Sequence, residues 1–76
     1  MPHVIIKLQS GRSGQQKAKI AEAITQAIMT HAKCAEESVS VSIEDVEPQD
    51  WVERVYKPDI LGNWANLYKK PGYDPL

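Results

Sequence analysis

Two residues near the start of this chain could do chemistry together. Pro2 follows Met1, and aminopeptidases remove an initiator methionine when the next residue is small. Removal of Met1 leaves Pro2 as a secondary amine at the head of the chain. A free α-amino group titrates at about pH 8, so it can act as a general base near neutrality if its surroundings lower its pKa further. An apolar pocket and a nearby cation both do this, because each disfavours the ammonium form. The apolar strand that begins at Pro2 offers the first, and Arg12 offers the second. A base with a pKa near the working pH can both take and give a proton within one reaction, and an anionic substrate would need an anchor beside it. Arginine presents a planar fork that pairs bidentately with a carboxylate. The competing readings are structural. Proline is tolerated as the first residue of a strand, where its missing N–H need not pair, and an arginine after a glycine is ordinarily a solvated turn residue.

The elements that must position these residues follow in order. Pro2, Val4, Ile6 and Leu8 alternate with His3, Ile5 and Lys7, which predicts a strand. Ile5 on the second face makes this read as an inner strand. His3 and Lys7 read as strand-face or interface residues, since nothing nearby completes a metal set or a nucleophile–base pair. Gly11 permits a turn, and Ser13 with Gln16 reads as a capping box opening a helix from about Gly14 to about His31. Ile20, Ala23, Ile24, Ala27, Ile28 and His31 form its apolar stripe. Cys34 reads as a small packed group in the loop beyond. Val39, Val41 and Ile43 alternate with Ser40, Ser42 and Glu44 as a second strand. Strand, helix, strand predicts a βαβ unit with parallel strands and a right-handed crossover.

The last third differs in character. Asp50 is placed to cap a short helix from Trp51, and Pro58 suits the first turn of another, carrying Ile60, Leu61, Trp64, Leu67 and Tyr68. Lys69, Lys70, Pro71 and Gly72 would end it, just before Tyr73. The chain thus reads as a single α/β domain over residues 1–76, with a βαβ core (1–47) and a helical tail (48–76). One helix covers only one face of a two-stranded sheet, so the other face and both edges predict self-association.

Composition narrows the partners. The 76 residues suffice for one small domain with a thin core. Nine basic against ten acidic residues give a net charge of −1, which argues against nucleic acid as the main partner. No apolar run is long enough to span a bilayer, and none resembles a signal peptide's apolar segment. The single Cys34 cannot form an internal disulfide, and a reducing, cytoplasmic setting fits it.

Pro2, the alternating strand, the Gly11-Arg12-Ser13 turn, the long helix and the Ser38–Val41 strand together resemble the 4-oxalocrotonate tautomerase family over about the first fifty residues. The tail, with Trp64 and Lys69-Lys70-Pro71-Gly72-Tyr73, is similar to a longer-tailed, dimeric branch acting on phenylpyruvate-type enols. The resemblance implies a cofactor-free, metal-free isomerase with Pro2 as acid/base and Arg12 holding a substrate carboxylate. It places Trp51 where the family has an aromatic residue that dries the pocket and lowers the proline pKa. A second family arginine falls here at Ser40, a departure that favours monocarboxylate enols with an apolar tail over dicarboxylates. Turnover of a dicarboxylate would need a cation from elsewhere, such as Arg54, Lys57 or a tail lysine. The implied assembly is a homodimer rather than a hexamer. Two alternatives stand beside this: a hydratase or dehalogenase of the same fold, for which Glu44 and Asp45 are the nearest water-activating carboxylates, and a catalytically idle oligomeric binding module.

Overall fold

The opening alternation becomes β1, His3–Gln9, in the computed structural model, which describes residues 1–76. Gly11 then turns the chain at φ +124°, a conformation that L side chains rarely adopt. Ser13 caps α1, Gly14–Ala32. Its Oγ accepts from the Gln16 N–H at 3.1 Å, while Gln16 Oε1 accepts from the Ser13 N–H at 2.8 Å. This reciprocal pair is the capping box that the two residue types imply. Lys33 closes the helix in the left-handed region. One 3-10 turn, Glu36–Ser38, leads into β2, Ser40–Val46.

The strands pair in parallel, Val4 beside Val41, Ile6 beside Ile43 and Lys7 beside Glu44. Side chains alternate across a strand, so Val4, Ile6, Leu8, Val41, Ile43 and Asp45 share one face. α1 packs on that face, tied to it by Lys17 Nζ and Asp45 Oδ2 at 2.6 Å. The helix half-buries Ile20, Ala21, Ile24, Thr25, Ile28 and Met29. Ala23, Ala27 and His31, which the spacing assigns to the stripe, are exposed. The three isoleucines set the roll of the helix, because each removes far more apolar surface from water than an alanine.

The second sheet face is only partly bare. A 3-10 turn (Pro48–Asp50), a π-helical segment (Val52–Ile60) and a 3-10 segment (Leu61–Asn66) follow β2. Two ion pairs hold the π-helical segment to this face, Lys7 Nζ to Asp59 Oδ2 at 2.5 Å and Arg54 Nη2 to Glu44 Oε1 at 2.9 Å. The expected pair of short helices is thereby corrected. No side chain caps the segment, so Asp50 is not its N-cap, and Pro58 lies inside it rather than at a new start. In an α-helix the proline ring would clash with the carbonyl four residues back. The wider π geometry lets the chain pass Pro58 without a break. Leu67 and Tyr68 fall beyond the last helical residue, Asn66.

β1 is likewise not an inner strand of the protomer. The sheet has two strands, each with an unpaired edge, and Ile5 on the second face is 61% exposed. Across the whole chain only Val46, Val55 and Tyr56 are buried, while Leu61, Trp64 and Tyr68 stand open to solvent. Open edges and apolar surface on this scale are what stable proteins cover.

Candidate active site

The length of β1 divides the site residues into two groups. A seven-residue strand at about 3.3 Å per residue spans roughly 23 Å, more than any side chain reaches. Pro2 lies before its first residue and Arg12 beyond its last. Arg12 is therefore not the cation beside Pro2 of its own protomer, and Trp51, which shares a groove with Arg12, does not wall that proline within one protomer.

The first group surrounds Pro2, which is half-buried. Its carbonyl accepts from the Ser40 N–H at 3.2 Å, and Ser40 Oγ lies 2.6 Å from His3 Nδ1. Parallel pairing causes this: His3 is opposite Ser40, so the start of β2 is held against the start of β1. Ser40 thus meets Pro2 through its backbone N–H, while its uncharged side chain lies on His3.

The second group lines a groove of about 600 Å³ at the far end of β1. Lys7, Gln9 and Arg12 contribute its polar side, with Leu8, Trp51 and Val52 among its apolar wall; Pro48, Tyr73 and Pro75 complete it. Arg12 Nη1 donates to the Gln9 carbonyl at 2.9 Å, which steadies the guanidinium against the strand end that the turn has just left. Trp51 Nε1 donates to Tyr73 Oη at 3.0 Å, and the Tyr73 ring lies 5.7 Å from that of Tyr56, tilted by 43°. Burial, with Asp74 and Tyr73 nearby, pushes the Tyr56 phenol up from its ordinary value. Tyr56 therefore stays neutral and serves as packing beneath the groove. A second groove of about 410 Å³ shares Lys7 and Trp51 and runs along Ile5, Val55 and Ile60.

The other charged candidates are engaged elsewhere. Arg54 is paired with Glu44 and Lys57 with Glu53 at 2.7 Å, while Lys70 lies over the Trp64 ring at 5.5 Å. Lys7 and Arg12 are the cations that line the larger groove, and Lys7 is held by Asp59. Glu44 and Asp45, the nearest carboxylates for activating water, are bound to Arg54 and Lys17 on opposite faces of the sheet. No three His, Cys, Asp or Glu side chains gather where one metal ion could be held, and no helix is long and apolar enough to cross a membrane. Sequence reasoning missed Lys7 and Tyr73 as groove residues. The strand alternation does put Lys7 on the second face, but no local pattern signals that the chain returns at Tyr73 to meet Trp51.

The family described as tautomerase enzyme matches residues 2–55 of the chain. A probable tautomerase of Xylella fastidiosa is 41% identical over 76 residues, covering 100% of this chain and 93% of that protein. Tautomerase PptA of Cronobacter sakazakii is 35% identical over 75 residues, covering 97% of this chain and 99% of that protein. Among solved structures, one from a study of the 4-oxalocrotonate tautomerase isozymes of Methylibium petroleiphilum superposes with a TM-score of 0.64 at 38% identity, over 66% of this chain and 81% of that one. Its likeness carries the βαβ protomer, and the whole-length relatives extend the match through the tail. The family match begins at the proline and runs through both strands, Arg12 and Trp51: the chain belongs to the tautomerase family, and its enzymology is that of an isomerase.

Proposed function

We propose that the protein interconverts the keto and enol forms of a 2-oxo monocarboxylate bearing an apolar or aromatic tail, without a cofactor. Pro2, freed by removal of Met1, moves the proton; Arg12 holds the carboxylate; Trp51 and the groove wall take the tail. The observation that carries this reading is the groove itself, which joins a guanidinium to an apolar wall of Leu8, Trp51 and Val52. Such a site suits a small molecule that is anionic at one end and greasy at the other. Ser40 at the Pro2 end is uncharged and its hydroxyl lies 2.6 Å from His3 Nδ1, so no arginine stands at this position to hold a second carboxylate bidentately. On processed protein, kcat/KM for an aromatic 2-oxo monocarboxylate enol is expected to exceed that for a dicarboxylate of similar size. A preference for the dicarboxylate would sink the substrate assignment.

Because β1 keeps Pro2 and Arg12 apart, the working site needs two copies of the chain. Antiparallel pairing of β1 with β1 of a second copy, across its open edge, sets the Pro2 end of each against the Arg12 end of the other. It also makes a four-stranded sheet with a two-fold axis. The π-helical segment roofs part of the second sheet face and obstructs stacking of a further sheet there, which favours a dimer over a hexamer. This matches the longer-tailed, phenylpyruvate-type branch that the tail resembles. Sedimentation at low micromolar concentration should show a dimer; monomer alone would remove the basis for a shared site. The free thiol of Cys34 is in keeping with a reducing, cytoplasmic setting.

A further inference from the structure

The tail contributes a polar contact that the proposed chemistry leaves open. Arg12 in the larger groove can take both oxygens of a carboxylate, but a 2-oxo acid carries a third oxygen, on C2, next to that carboxylate. Tyr73 lines the same groove, 49% exposed. Its hydroxyl oxygen is fixed from two sides: Trp51 Nε1–H, which can only donate, points to it at 3.0 Å, and the Tyr73 ring packs against that of the buried Tyr56. The Tyr73 hydrogen remains, and no side chain or backbone carbonyl of the protein accepts it. The phenolic oxygen also keeps a second lone pair. A group that can donate to a ketone oxygen and accept from an enol O–H matches both forms of a tautomerising substrate.

Resting on the tautomerase reading above, we infer that Tyr73 is a substrate-binding residue supplied by the C-terminal tail, whose hydroxyl hydrogen-bonds the C2 oxygen while Arg12 holds the carboxylate. Trp51 then has a second task besides lining the groove, since its indole N–H aims that hydroxyl. The segment from Pro71 to Leu76 is in this view part of the site's construction and not a loose end.

The test is a difference in equilibrium binding, which does not depend on turnover. Phenylpyruvate and 3-phenylpropanoate share the carboxylate and the aromatic tail and differ by the C2 oxygen. By calorimetric titration, the wild-type protein should bind phenylpyruvate about three- to tenfold more tightly, the value of one neutral hydrogen bond. Tyr73→Phe keeps the ring on Tyr56 and removes the hydroxyl, and it should bring that ratio close to one with 3-phenylpropanoate binding unchanged. If Tyr73→Phe binds both acids and retains the wild-type ratio, the Tyr73 assignment falls and the tautomerase reading stands. If the wild-type protein binds neither acid, both fall. Should Tyr73→Phe fail to fold, Trp51→Phe carries the question, since it frees the hydroxyl from its aim. A reduced ratio in that variant supports the assignment, and an unchanged one overturns it.

Discussion

Pro2→Ala, in protein from which Met1 has been removed, is expected to lower kcat/KM by about 10²–10⁴-fold, the usual contribution of a positioned acid/base. The variant keeps an amine, but a primary one of different basicity and geometry. Retention of Met1 should be at least as damaging, because the proline nitrogen is then an amide with no proton to exchange. Met1 is fully exposed, so a processing enzyme can reach it. If the neutral amine is the active form, as proposed, kcat/KM should rise with pH as the ammonium loses its proton and then level off. An α-keto-acid alkylating agent should label Pro2 at low excess, with a rate that follows the same curve. Lysines are poorer competitors near pH 7, their ordinary pKa lying about two to three units above that of an α-amino group. Labelling at Cys34 or a lysine, or full activity in Pro2→Ala, would return Pro2 to the role of a strand's first residue.

The second large effect is a rescue. Arg12→Ala should lose a charge-assisted bidentate contact of about 1.5–3 kcal/mol, which is roughly ten- to 150-fold in kcat/KM. Neither Pro2→Ala nor Arg12→Ala alone should retain much activity. If each site takes Pro2 from one protomer and Arg12 from the other, a mixed dimer of the two variants contains one site with both residues intact. Random mixing makes half of the dimers mixed, so about a quarter of wild-type activity should return after co-refolding equal amounts. Sites built within one chain could not be rescued at all. The outcome therefore separates a shared site from a self-contained one without a structure of the assembly.

How much of this was readable in the residues depended on how far apart in sequence the interacting parts lie. Ser13 and Gln16 specify the start of α1 through contacts three residues apart, and the structure forms both hydrogen bonds. The parallel pair could be read from alternation, since the period of two puts Val4, Ile6, Val41 and Ile43 on one face whatever else happens. The tail resisted for a physical reason. Pro58 normally ends or begins an α-helix, and nothing local says that the chain will widen to a π-helix and continue. Its placement depends on Lys7 meeting Asp59 across fifty-two positions and on Glu44 meeting Arg54 across ten, pairings that no periodicity announces. The candidate site shows the same limit. Pro2 and Arg12 could be found by type and spacing, but that they lie at opposite ends of β1 follows only once the strand's length is converted to ångströms.

With only three buried residues in the chain, one protomer covers little apolar surface by itself, and the proposed dimer would answer to mass action. The concentration of free protomer then sets stability as directly as any side chain does. Each tenfold dilution withdraws about 1.4 kcal/mol from a dimer relative to its separated chains. For such a dimer, activity per milligram is expected to fall below the dissociation constant, and the midpoint of thermal unfolding to drift downward with concentration. If the site is shared as proposed, dilution that parts the two chains dismantles it, and loss of activity reports dissociation directly.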